Sequence, residues 1–281
     1  MVSISRNIHN QESKVSVIIP THSKSTSLDE CVAHLPKRVE LFVINDDVLL
    51  LSAKRNLGAK MATKKYLLFC DDDNNLGFRS VSRLVSFMEI SPDVGVVGML
   101  GVYRKNPKMI CDGGSSRGIL SGFTYDKRVN KKLYKVEKEP FEVDEVANVF
   151  MVRRQEFCDM GGMDTECFPI DLDEADLCRR MKLLGKKIMI VPTAITSHKQ
   201  FTHSRIPDFR RPLNAYYMGR NRILFQKKFL TKVGLLIHAF IFFPVFVCSY
   251  IFCLLFIRRK PLMVKHFLKG VVDGLQYRFN S

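Results

Sequence analysis

The sequence predicts an α/β domain with a mostly parallel central sheet, followed by a C-terminal region of different character. Three observations lead there. Short β-branched runs alternate with helix-length stretches from Lys14 to Met99. Polar and acidic residues gather directly after those runs, where parallel sheets bind ligands. Val233 to Ile257 contains no Asp, Glu, Lys or Arg.

The elements follow in order. Lys14 to Pro20 reads as a buried strand ended by proline. Ser27 to Leu35 reads as a helix, with Ser27 as cap and Glu30 three residues on. Strands are expected at Glu40–Ile44, Lys65–Cys70 and Val94–Met99, and helices at Ser52–Ala62 and Phe78–Ile90. Val143 to Val152, a helix Leu172–Leu184 and a strand Lys187–Val191 complete a domain over 13–200. Lys105 to Glu139 is irregular. A basic helical segment then occupies 201–232, the apolar run 233–257 and a basic amphipathic tail 258–281.

Charge narrows the function classes. Of the net +16, +13 lies beyond His198, with nine Lys/Arg against one acid in Lys199–Lys232 and six against one from Arg258 onward. Basic stretches on both sides of an apolar run suit lipid headgroups better than nucleic acid. No helix-turn-helix, zinc-finger or RNP-like pattern is present, so no nucleic-acid partner is expected. As a helix the 25-residue run would reach ~38 Å, enough for a span, while Pro244 leaves room for a re-entrant hairpin. Met263, Phe267, Leu268, Val271, Val272 and Leu275 fall on one face of the tail, as in an interfacial helix. The eight scattered cysteines and the polar N-terminus suggest reduced thiols and a catalytic part on the cytoplasmic side.

Several residues could carry chemistry. Asp71, Asp72 and Asp73 end an apolar strand, where carboxylates can hold a hard divalent cation or merely cap the next helix. Asp173, Glu174 and Asp176 open a helix, as dipole partners or as a general base. Asp171 and Asp176 are candidates for binding an acceptor. Asp46 could receive a base or ribose, or close a turn. His198 could complete a metal site or pack. Arg220 and Arg222 suit a pyrophosphate or an anionic surface equally.

Together and in order, these pieces resemble glycosyltransferase family 2, over roughly Lys14 to His198. Val15-Ser-Val-Ile-Ile-Pro-Thr21 looks like its opening strand and nucleotide loop, Val43-Ile-Asn-Asp46 its second-strand motif, and Ala53-Lys-Arg-Asn-Leu-Gly-Ala59 the helix that follows. Tyr66-Leu-Leu-Phe-Cys-Asp-Asp-Asp73 resembles the DxD strand. Val152-Arg-Arg154, Gly161-Gly-Met-Asp164 and Asp173-Glu-Ala-Asp-Leu-Cys-Arg179 are similar to its acceptor-side pattern, with Asp-Glu where the family usually has Glu-Asp.

The resemblance implies a GT-A fold and an inverting transfer from a nucleotide sugar, aided by Mg²⁺ or Mn²⁺, and the apolar C-terminal run together with the acceptor-side pattern points to a lipid-linked or glycan acceptor. It puts Pro20, Thr21, Asp46, Arg55, Asp71 and Asp72 on the donor. Asp73, Asp71 and His198 would be on the metal, and Glu174 would be the base with Asp173 as alternative. A polyprenyl-phosphate glycosyltransferase and a non-catalytic membrane scaffold remain as competing readings.

Overall fold

The β-branched runs become strands in a computed structural model that describes residues 11–22, 26–199 and 211–279. The expected polar N-terminus and residues 201–210 of the basic segment lie outside the described residues. The chain divides into two compact units. One comprises Met1–Ser116, Asp126–Asp164 and Glu174–His203; the other comprises Arg117–Tyr125, Thr165–Asp173 and Ser204–Ser281.

The first unit is built on a nine-stranded sheet. β1 (Val15–Thr21), α1 (Thr26–Ala33), β2 (Glu40–Asn45), α2 (Leu51–Met61) and β3 (Tyr66–Cys70) form its opening, with β1 parallel to both neighbours. There follow β4 (Asn74–Leu76), α3 (Ser80–Ile90), β5 (Val94–Tyr103), β6 (Asn106–Asp112), β7 (Phe141–Glu142), β8 (Val149–Arg153), α4 (Arg154–Asp159), α5 (Asp173–Leu183) and β9 (Lys187–His198). The main order is β2-β1-β3-β8-β5-β9-β4, with β6 beside β5 and β7 beside β9.

Side chains alternate across the strands and feed two cores. Ile18, Leu67, Phe69 and Phe150 face Ala59, Leu177 and Met181. Val17, Ile19, Leu68 and Met151 share the other core with Leu84, Val85 and Met88. This period-two division gives a helix-covered α/β sheet.

The α/β expectation holds, but the sheet is mixed rather than mostly parallel. β8 runs antiparallel to both β3 and β5, and only β9 returns parallel to β5. The reason is the connection. After β5 the chain makes an antiparallel β6 and then irregular backbone, instead of the helical crossover a parallel strand needs. β9 also runs seven residues past the expected end at Val191. A register shift between Val191 and Ile195 absorbs Pro192, and the strand continues antiparallel to β4 until His198 faces Asn74.

The second unit is helical: α6 (Pro212–Phe229), a helix α7 over Lys232–Ile257, and α8 (Pro261–Gln276). α7 is long and apolar enough to cross a membrane, with mean hydropathy 2.6. It stays helical through Pro244, preceded by a π-helical turn at His238–Phe242. Glycines set the α6–α8 packing. Gly219 lies against the backbone of Phe267 and Val271, Gly270 against that of Tyr216 and Arg220, and Gly274 against Arg220. This corrects the reading of the tail: Phe267 and Val271 are buried in a core with Ala215, Ile223, Phe246 and Leu254, and of the expected apolar face Leu268, Val272 and Leu275 remain exposed.

A side chain at Gly270 would collide with the carbonyl of Tyr216, and backbone cannot step aside as a flexible side chain can. Gly270→Val should therefore destabilise the helical unit by about 1–3 kcal/mol. Unchanged thermal unfolding in detergent would show that α6 and α8 do not pack this closely.

Candidate active site

The carboxyl ends of β1, β2 and β3 deliver the acidic residues, and α2 delivers their counter-ions. Lys54 and Arg55 are both completely buried on the inner face of α2. Gly58, one turn on, lets the helix lie against Ile18; a Cβ there would come within 2.5 Å of the Ile18 Cγ2.

Arg55 is the hub. One guanidinium nitrogen donates to Asp71 Oδ1 at 2.9 Å and the other pairs with Glu174 Oε1 at 2.8 Å, while the cation lies 5.4 Å from the centre of the Phe150 ring. Burial pushes the Asp71 carboxyl up to about 6 against the pull of Arg55, with Glu174 and Asp73 adding repulsion. Lys54 donates to the Thr21 carbonyl at 2.6 Å and meets His22 Nδ1 at 3.0 Å, fixing the end of β1. Burial holds its ammonium below the usual lysine range despite Asp46, Asp47 and Asp72 nearby. Thr21 in turn donates to Asp72 at 2.5 Å.

Asp73 meets His198 Nε2 at 3.0 Å, a contact created by the pairing of β9 with β4. Burial disfavours the imidazolium, yet the hydrogen bond and charge of Asp73, helped by Asp71 and Asp112, outweigh it and raise the histidine. Burial likewise opposes ionisation of Asp73, and His198 and Arg104 prevail, leaving its carboxyl below the ordinary range. His198 Nδ1 is buried without a hydrogen-bond partner among the described residues. Arg104 donates to the Asp73 carbonyl at 2.6 Å and also binds Glu30. Behind it, Asp112 accepts from Gly114 and Asn148 at 3.0 Å each, and burial raises its carboxyl to about 6.

Sequence reasoning named Arg55 and the aspartates but missed Lys54, Arg104 and Asp112. Two adjacent cations in a helix that otherwise buries small residues were the available signal for Lys54. Asp112 falls in the irregular stretch that begins at Lys105, and Arg104 directly precedes it.

Other expected positions are placed differently. Pro20 is buried within β1, so only its backbone reaches the strand end. Asp46 is a turn residue whose Oδ1 accepts from the Val48 and Leu49 amides, which lower its carboxyl. Asp176 is wholly buried and pairs with Arg180 at 2.7 Å, and Arg180 holds the carbonyls of Met160 and Gly162. Asp176 thus shapes the Gly161–Gly162 turn instead of meeting an acceptor.

Within the helical unit, Arg220 donates to the carbonyls of Glu166 and Cys167, and Arg222 donates to Gly122 while lying over Phe246 and Tyr250. Both arginines thus hold loop carbonyls of their own unit. Between them, Asn221 donates to the carbonyls of Ile170 and Asp171. Asp171 and Leu172 both have left-handed backbone, at φ 65° and 64°, a strain that such anchoring sustains just before Asp173 opens α5. Asp173 is itself 1% exposed.

Comparison with known proteins fits this arrangement. Residues 49–155 match the profile of Glycosyl transferase family 2. Among solved structures, residues 1–349 of S. aureus TarS with UDP-GlcNAc superpose at TM-score 0.53 and 14% identity, covering 94% of this chain and 81% of that one. The mannosyltransferase PcManGT from Pyrobaculum calidifontis, in complex with GDP-Man and Mn²⁺, gives 0.52 and 12%, covering 94% and 87%. GalNAc-T7 with UDP, GalNAc and Mn²⁺ gives 0.50 and 17%; the match covers 66% of this chain but only 43% of that protein. No curated protein matches the chain significantly. The fold is therefore that of the GT-A glycosyltransferases. Within that fold, residues 49–155 are the part of the chain that is similar to family 2 glycosyltransferases.

Removing Arg55 would leave two carboxylates facing each other without their shared cation. Arg55→Met should cost about 3–5 kcal/mol of stability, as other broken buried pairs do. Arg55→Lys should recover only part, since an ammonium lacks the fork that reaches both partners. Denaturant unfolding of the three proteins measures this, and equal midpoints would show that the bridge carries no load.

Proposed function

We propose that the chain is an inverting, metal-dependent glycosyltransferase that moves a sugar from a nucleotide donor to a lipid-linked saccharide at the cytoplasmic face of a membrane. The observation that carries the catalytic part is the Asp71–Arg55–Glu174 bridge beside the Asp73–His198 pair. The nucleotide donor is supported by the UDP-GlcNAc and GDP-Man named for the similar structures. The lipid-linked acceptor and the membrane rest on α7.

A divalent cation fits the donor set. Asp73 and His198 present a carboxylate and an imidazole side by side, chemistry suited to Mn²⁺ or Mg²⁺. Among the described residues no three His, Cys, Asp or Glu side chains group as a metal-binding cluster. When bound, the ion neutralises the diphosphate leaving group.

The chain's own residues supply the rest. Lys54 and Asp72 fix the end of β1 for the nucleotide, and the half-buried Asp46 carboxylate beyond β2 receives the base or ribose. Glu174, paired with Arg55, takes the proton of the acceptor hydroxyl. The oxygen attacks the anomeric carbon as the bond to diphosphate breaks on the opposite face. One displacement inverts that centre.

Asp73→Ala should lower turnover at least ~100-fold at saturating Mn²⁺ or Mg²⁺. It should also abolish metal-dependent protection by nucleotide sugars against thermal unfolding. Turnover near that of the unaltered enzyme would remove Asp73 from the metal.

Glu174→Gln should cost ~10²–10⁴-fold in rate with donor affinity largely kept. The parallel variant Asp173→Asn should retain turnover. If only Asp173→Asn is inactive, the base is Asp173 and Glu174 serves Arg55 alone.

A further inference from the structure

We propose that α7 does not cross the membrane but lies in the plane of one leaflet, making the helical unit a monotopic anchor for anionic phospholipid. This rests on the membrane attachment proposed above and assigns its geometry. As a 26-residue helix α7 measures about 39 Å, so length permits either a span or a surface lie. What packs along it decides.

One face of α7 meets its own unit at points from His238 to Leu254. Near the start, His238 Nδ1 bonds the Leu120 carbonyl at 2.8 Å. At mid-helix the Arg222 guanidinium lies 5.4 Å from the Phe246 ring and 5.6 Å from that of Tyr250. Toward the end, Tyr250 stacks on Phe267 of α8 at 5.6 Å, and Leu254 is fully buried. His238 to Leu254 is about 24 Å of helix, most of a hydrocarbon core.

The covering elements cannot enter hydrocarbon. α6 carries Arg220, Arg222, Lys227 and Lys228 and sets Arg222 against α7, and Leu120 belongs to irregular backbone. A transmembrane α7 would carry the Arg222 guanidinium and the carbonyls of that loop to bilayer depth, where cations and irregular backbone are strongly disfavoured. A helix lying in the leaflet keeps them on the aqueous side.

The uncovered surface fits that placement. Phe240, Ile241, Val245 and Phe256 are exposed on α7, and Leu268 and Val272 on α8. Lys232, Arg259, Lys265 and Lys269 are exposed at the ends and on α8. Apolar side chains between cations match the acyl and headgroup zones of an anionic monolayer.

The test uses the full chain with Cys248→Ser and one added cysteine, Lys232→Cys or Lys269→Cys, in sealed membrane vesicles of both orientations. An impermeant maleimide is applied and the sites are mapped by mass spectrometry, with exposed Cys158 of the sheet-containing unit marking the catalytic side. Both added cysteines should react only in the orientation in which Cys158 reacts. Labelling of Lys269→Cys from the opposite side, with Lys232→Cys on the Cys158 side, would establish a span and overturn the proposal. A chain that leaves the membrane pellet in high salt would instead refute membrane insertion, and with it both readings.

Discussion

The catalytic unit depends on one buried guanidinium. Arg55 has no solvent exposure, so its charge must be compensated inside the protein or not held at all. Asp71 from the end of β3 and Glu174 from α5 provide that compensation from two elements distant in sequence. The same bridge therefore stitches the helix to the strand end and orients two carboxylates. It requires α2 to approach β1 closely, which the missing side chain of Gly58 permits. Phe150, from the antiparallel β8, closes the cation's remaining face.

Around this bridge the same device recurs. Asp73 is backed by His198 and has its carbonyl held by Arg104, and Thr21 holds Asp72. Each carboxylate is thus fixed from behind by a cation or a hydroxyl. Such fixing would serve the proposed transfer, because preorganised groups need not reorganise as charge develops.

Much of this was legible in the sequence, and the failures share a cause. Apolar runs ending in Asp71 to Asp73, and the order of motifs around Arg55 and Glu174, report local chemistry that survives in one dimension. Strand direction does not. β8 has the apolar content of a parallel strand, and only the nature of the preceding connection reverses it. Pro192 read as the end of a strand, whereas the bulge that absorbs it is what carries His198 to Asp73. Arg104 and Asp112 escaped notice because their partners are set by that register and not by neighbouring sequence.

Net charge gave the least transferable signal. The C-terminal excess of cations suggested a single role, but the folded chain divides it. Arg220 and Arg222 turn inward onto carbonyls, and Lys227 caps the end of α8 through the carbonyls of Gly274, Leu275 and Tyr277. Those cations complete backbone hydrogen bonding that caps and loops would otherwise lack. Lys232, Arg259, Lys265 and Lys269 stay exposed and available to an anionic partner. Hydropathy divides likewise. Phe267 and Val271 are as apolar as Leu268 and Val272, yet glycines on facing helices draw the first pair inward and leave the second outside. Composition therefore states how much charge and apolar surface a helix owns; packing decides how much of either it can offer to a membrane.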